Sequence, residues 1–209
     1  MATSVEKAPT DTVAIGDEAL KDLMALCDAD EEGWKELWTD DGIVFHTKKG
    51  TEPCVVDIIR CRFTLEVGKG LEDTDLATVK AMVSPWLPYR IQWDDILQRC
   101  EHLQELDKGY HMIHHVTKKR FPLSSRDSVD VVATQLEPTR VLMVARSVPT
   151  AGPAPTSDVV RTYQHIGGYC FCTSGERMFI FENYGIFNIF LQSILENSND
   201  DKGCNLKEF

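Results

Sequence analysis

From Glu101 to Asn183 the chain reads as one strand after another. Turn-forming residues interrupt the strands at short intervals. The strands expected are His102–Leu106, Tyr110–Lys119, Asp127–Leu136, Arg140–Val148, Asp158–Ile166, Tyr169–Cys172 and Met178–Asn183. Their separators are Asp107-Lys108-Gly109, Pro122, Glu137-Pro138-Thr139, the Pro/Gly-rich stretch 150–155, Gly167-Gly168 and Thr173-Ser174-Gly175. Directly afterwards Ile186, Phe187, Ile189, Phe190, Leu191, Ile194 and Leu195 form a strongly apolar helical pattern. A curved antiparallel sheet around that helix is the simplest way to bury both, which makes the fold class α+β. Val141-Leu142-Met143-Val144-Ala145 is apolar on both strand faces, so something must cover each side of the sheet.

The N-terminal part is mixed. Residues 1–15 read as a polar, flexible terminus, and Leu20, Leu23, Met24 and Cys27 have the spacing of an amphipathic helix. Trp34, Leu37 and Trp38 suggest a short amphipathic turn stopped by Asp40-Asp41-Gly42. Ile43–Thr47 and Cys54–Val67 read as strands, the second with Val56, Ile58, Arg60 and Arg62 on one face and Cys61 and Phe63 on the other. Asp73–Ser84 reads as a helix capped by Asp73 or Thr74 and broken by Pro85 and Pro88, with a short helical stretch at Trp93–Leu97 after it. The organisation expected is a flexible stretch 1–15, one domain over 16–196 and a polar tail 197–209.

At 209 residues a single domain buries enough surface to need no covalent staples. The net charge of −11 argues against a nucleic-acid partner. Residues 1–42 carry 12 acidic and 3 basic side chains, so the rest of the chain is close to neutral. No 18-residue apolar run and no apolar leader follow from the sequence, so a cytoplasmic location is expected. The seven cysteines contain no C-x-x-C pair and read as reduced thiols acting as small hydrophobes. His114 and His115 are adjacent, so on a strand they point to opposite faces and cannot chelate one ion; no metal or cofactor is expected.

Four stretches, taken in order, resemble the START domain, the steroidogenic-acute-regulatory-protein-related lipid-transfer module. They are Gly33-Trp34 with Gly42-Ile43-Val44-Phe45; Tyr89-Arg90-Ile91-Gln92-Trp93-Asp94; Phe121-Pro122-Leu123-Ser124-Ser125-Arg126-Asp127; and Ala145-Arg146-Ser147-Val148 followed by Val160-Arg161. The likeness spans residues 18–196. It implies a helix-grip fold, a sheet gripping the C-terminal helix around a cavity for one lipid, with Phe187 and Phe190 on that helix. Among the family's branches the Tyr-Arg-x-Gln-Trp-Asp segment is most similar to the phosphatidylcholine transfer protein. That likeness implies that Arg90, between Tyr89 and Asp94, meets a lipid phosphate. A guanidinium suits a phosphate diester, but it also suits Asp94, and a purely structural Arg90–Asp94 pair remains the alternative.

The positions aligned with that branch's choline cage are His115, Ser128 and His165, a poor set for cation–π contact. A smaller or primary-amine head group, or a different lipid, is therefore implied. The positions aligned with the sterol branch's buried Glu and Arg are the apolar Ile113 and Val132. The segment Glu182-Asn183-Tyr184-Gly185-Ile186-Phe187 departs from the family's usual approach to its last helix. Arg126-Asp127 is expected to stabilise the fold, and Trp34, Trp86 and Trp93 to anchor the core.

No G-x-S-x-G, P-loop, dinucleotide or H-E-x-x-H motif is present, so the expected function is that of a carrier rather than an enzyme. The carrier would hold one phospholipid or other lipid as a monomer, opening at the last helix and the loop 150–155. It would touch membranes briefly through the apolar C-terminal helix. A lipid-responsive sensor, a sterol carrier and a helix-grip enzyme are the alternatives.

Overall fold

The computed structural model describes residues 11–29, 31–40, 42–50, 57–66, 75–107, 109–121, 124–148, 150–173 and 178–185. In chain order these form α1 (Thr12–Cys27), β1 (Lys35–Asp40), β2 (Ile43–Lys48), β3 (Ile58–Glu66), α2 (Leu76–Val83), α3 (Arg90–Trp93), β4 (Leu97–Asp107), β5 (Tyr110–Thr117), β6 (Arg126–Leu136), β7 (Arg140–Ser147), β8 (Val160–Arg161), β9 (Gly167–Thr173) and β10 (Met178–Gly185). Nine strands form a curved sheet in the order β1-β2-β3-β10-β9-β7-β6-β5-β4, each pair antiparallel, and β8 adds a short parallel bridge to β6. The α+β helix-grip class is thus the observed one. The helix expected over 186–195, with Phe187 and Phe190, lies outside the described residues.

Both faces of the sheet are covered, as the doubly apolar β7 requires. Leu142 and Val144 pack with Ala19, Leu20 and Leu23 of α1. Their neighbours Val141 and Met143 point the other way and pack with Leu76 and Val83 of α2. The same alternation sends Cys61 and Phe63 to the α2 face, and Arg60 to Trp34 on the α1 face.

α1 seats closely because small residues meet it. A Cβ on Gly168 would lie 2.8 Å from the Met143 carbonyl oxygen and 3.1 Å from Leu23 Cδ2, and one on Gly16 would lie 2.8 Å from the Tyr110 ring. The expected turn at Gly167-Gly168 is therefore part of β9, and the glycines there make room for a helix. Much of the acidity of residues 1–42 is used at this interface: Asp17 accepts from Tyr110, Asp22 from Arg146, Asp28 from Arg140, and Glu31 from Arg60 and Arg62. Arg60 is 1% exposed, and its guanidinium lies 4.4 Å over the Trp34 ring.

Several local expectations are corrected. α1 begins at Thr12, inside the stretch read as flexible. The Trp34–Trp38 turn is strand β1, in which Leu37 forms a bulge between Glu36 and Trp38, and Trp38 stacks on Phe45 at 4.5 Å. That extra residue breaks the period of two. β4 is longer than His102–Leu106 for the same reason: three irregularities put Leu97, Cys100, Leu103 and Leu106 inward, a spacing of three. Leu97 is accordingly a strand residue, and the short helix ends at Trp93. The cap of α2 is Asp75, whose carboxylate accepts from the Thr78 N–H at 2.7 Å. The strand expected over Asp158–Ile166 contracts to Val160–Arg161, because Gln164 N–H bonds to the Ser147 hydroxyl and Thr162 N–H to the Asp127 carbonyl.

The loop 150–155 packs on the sheet. Ala151 is 4% exposed and packs with Met112, Val129 and Val131, and Arg161 donates to the Pro153 carbonyl. Trp93 is 37% exposed rather than a core anchor, whereas Trp34 is buried and Trp86 stacks on His111 at 3.8 Å.

Candidate functional site

Pro85 and Pro88 end α2 and turn the chain, so that a single helical turn, α3, presents Arg90. Arg90 Nε donates to Asp94 Oδ2 at 3.2 Å, an i,i+4 pair with side chains 16% and 13% exposed. The guanidinium lies 5.4 Å from the centre of the Tyr169 ring. Burial opposes its charge, but the Asp94 carboxylate beside it keeps the guanidinium protonated.

A second polar group lies on the β5–β6–β7 ladder. His115 stands opposite Ser128, and Asp130 opposite Ser147. Asp130 is fully buried; its Oδ2 accepts from His115 Nδ1 at 2.8 Å and from the Ser128 hydroxyl at 2.6 Å, and its Oδ1 accepts from Ser147 at 2.6 Å. Burial disfavours the imidazolium, yet the bond to Asp130, helped by Cys100, raises the His115 pKa to about 9. The ring is therefore charged at neutral pH and both of its nitrogens are donors. Nδ1 is satisfied, whereas Nε2 is buried with no hydrogen-bond partner among the described residues.

Cys100 connects the two groups. It stands directly across the β4–β5 ladder from His115 and lies close to Arg90 and Tyr169. Burial pushes the Tyr169 hydroxyl up, so Tyr169 stays neutral beside Arg90. The result is a polar cluster at the edge of an apolar wall formed by Ile113, Val132, Met143 and Phe171.

Adjacent His114 points to the opposite face, as strand geometry demands. Its Nδ1 meets Glu101 at 3.0 Å and its Nε2 meets Asp127 at 2.8 Å. Arg161 grips the same Asp127 with two bonds of 2.9 and 3.0 Å. Burial raises the Asp127 pKa, but Arg161 and His114 outweigh it and hold the carboxyl below its ordinary value. The Arg-Asp and Val-Arg stretches thus meet through Asp127 and Arg161, and the ion pair is not made by Arg126. Arg161→Leu is expected to cost about 2–3 kcal/mol, read as a fall in melting temperature. It should leave lipid binding unchanged, because Asp127 lies on the face away from Arg90.

Of the residues picked from sequence, Arg90 and Asp94 come together, as do His115 and Ser128 through Asp130. Tyr89 is 49% exposed beside them. His165 stands edge-on to Tyr163 at 4.6 Å, and its carbonyl accepts from Arg146, whose other bond is to α1. Ile113 and Val132 are buried among apolar side chains, and the buried acid–base pair on this face is His115–Asp130. Asp130, Cys100 and Tyr169 were not picked. The available signal was Asp130 itself, a carboxylate within the otherwise apolar run Val129-Asp130-Val131-Val132.

A curved sheet with helices on both faces and charged groups set into an apolar wall defines a helix-grip ligand-binding protein. The model of the START domain matches residues 15–181, and the chain belongs to that family of lipid-binding and lipid-transfer modules. Human StAR-related lipid transfer protein 5 is similar in structure, with a TM-score of 0.72, 19% identity and coverage of 91% of this chain and 92% of that one. Human STARD10 gives a TM-score of 0.62 at 16% identity, covering 88% and 69%. The lipid transfer and protein localization domain of human StarD13 gives 0.60 at 15%, covering 86% and 83%. At these identities the likenesses establish the fold. No curated protein sequence matches the chain.

Proposed function

We propose that this START protein carries a single phospholipid between membranes, with the phosphate on Arg90 and a second head-group oxygen on His115 Nε2–H. The observation that carries this reading is the unpartnered, charged, buried nitrogen of His115, on the same sheet face as Arg90. A buried donor left unmade costs ~1–3 kcal/mol, more when charged, and an anionic oxygen arriving there recovers it. The apolar wall takes the acyl chains, where each buried CH₂ returns ~0.8 kcal/mol, so the protein replaces the bilayer as solvent. Ser128 and His165 supply no aromatic box, so the reading favours a compact head group over choline.

Native mass spectrometry after incubation with mixed lipids, together with vesicle-to-vesicle transfer by the pure protein, tests it. One bound phospholipid per chain and measurable transfer are expected. Absence of transfer for every phospholipid and sterol would sink the carrier reading. A chemically altered ligand would indicate an enzyme.

A further inference from the structure

β9 carries two thiols side by side. Cys170 and Cys172 are two residues apart, so the period of two puts both on the α1 face, in the cluster around Leu23. Their sulfurs stand 3.5 Å apart, and both are in the thiol form. Cys170 is 1% exposed, whereas Cys172 is half-buried beside the exposed Thr173. We propose that the pair is a reversible redox site: a peroxide closes it to an intrastrand disulfide, which displaces Phe171 in the wall of the lipid site.

The more exposed thiol reacts first. Cys172, as its thiolate, attacks one peroxide oxygen; the O–O bond breaks, Cys172 becomes a sulfenic acid, and the departing oxygen leaves as water with the proton that Cys172 gave up. Cys170 then attacks the Cys172 sulfur. The S–O bond breaks as the S–S bond forms, and a second water carries away the Cys170 proton. The two thiols lose two electrons and the peroxide gains them. Holding the sulfurs in contact makes the second step intramolecular, which favours it over further oxidation of Cys172. A small thiol such as glutathione restores the pair by exchange. The residue between them is Phe171, whose ring is 3% exposed and packs on the opposite face with Ile113, Val132 and Met143. Residues two apart on a strand have Cα atoms about 6.4–6.8 Å apart, the upper end of what a disulfide spans. Bonding the sulfurs at about 2.05 Å therefore shortens the strand and puckers it at Phe171. A disulfide strained in this way is easily reduced, which suits a switch rather than a staple. The effect on lipid rests on the carrier reading; the disulfide itself does not.

The test is oxidation of the full chain with hydrogen peroxide, followed by alkylation and tryptic mass mapping. Residues 162–177 form one tryptic peptide, which holds Cys170 and Cys172 and no other cysteine. After oxidation it is expected to take no alkyl group and to be two hydrogens lighter than the reduced peptide. Dithiothreitol should restore both alkylation sites. Cys170→Ala is expected to leave Cys172 as a sulfenic acid that dimedone traps. Two alkylatable thiols in the oxidised wild type, or either cysteine joined to a third such as Cys27, overturn the disulfide. The second readout is occupancy by a dispersed short-chain phospholipid in native mass spectrometry. Oxidation should lower it about tenfold, because a displaced ring strains a packed wall, and should leave it unchanged in Cys172→Ala. Equal occupancy of the oxidised and reduced wild type overturns the coupling to the lipid site. A disulfide that forms in a chain binding no phospholipid in either state supports the redox site and overturns the carrier reading.

Discussion

Arg90→Ala should lower phospholipid occupancy by about a hundredfold, the equivalent of the ~3 kcal/mol that two charge-assisted hydrogen bonds contribute in a site screened from water. Native mass spectrometry across a lipid titration reads it directly. Arg90→Lys separates fork from charge: a lysine keeps the cation but cannot bind a phosphate through two parallel N–H groups, so it should recover only part of the occupancy. Arg90→Ala also leaves Asp94, 13% exposed, without its cation, so some loss of melting temperature is expected alongside. If Arg90→Ala lowers the melting temperature and lipid occupancy stays at the wild-type level, Arg90 serves the fold through Asp94 alone and the phosphate assignment is wrong.

Asp130 governs the other large effect. In the folded chain His115 titrates at about 9, above its ordinary 6.5. A raised folded value means that the stabilisation is complete below about pH 6.5 and is lost as pH rises through about 9. The full span corresponds to about 3 kcal/mol, or roughly 10 °C in melting temperature for a domain of this size. Asp130→Asn keeps the shape of the side chain and removes the charge that holds the proton. It should lower the melting temperature at pH 6.5 and abolish most of the further fall between pH 6.5 and 9. Thermal melts at three pH values decide it, and a variant that keeps the wild-type slope would place the titration on another group. Lipid binding should weaken in parallel as His115 loses its proton, because the neutral ring has one N–H to give and Asp130 takes it.

Different parts of this structure were legible to different degrees. β5, β6 and β7 were readable because no bulge interrupts their pairing and turn residues bound them, and the opposite orientations of His114 and His115 followed from the period of two. β1 and β4 were misread where bulges insert a residue and change the period, and Gly167-Gly168 was misread because a glycine pair signals a turn as readily as space for a helix. The site was half legible. Arg90, Asp94, His115 and Ser128 were reached through the family resemblance and through Arg90's need for a counter-ion. Asp130, Cys100 and Tyr169 were missed because what matters about them is what stands opposite.

The sequence alone determined the strand-rich α+β class, the side of the sheet on which most strand residues lie, and the acidic bias of the first 42 residues. These are local properties, set by a side-chain period of two and by composition. Tertiary structure decided which charges meet. Asp127 pairs with Arg161 across 34 positions, Arg60 with Glu31 across 29, and His115 with Asp130 across 15. A one-residue slip in strand register would turn each of these partners to the other face. Register is settled only when the two faces are buried against α1 and α2, so the buried charges, and with them the candidate lipid site, exist only in the assembled fold.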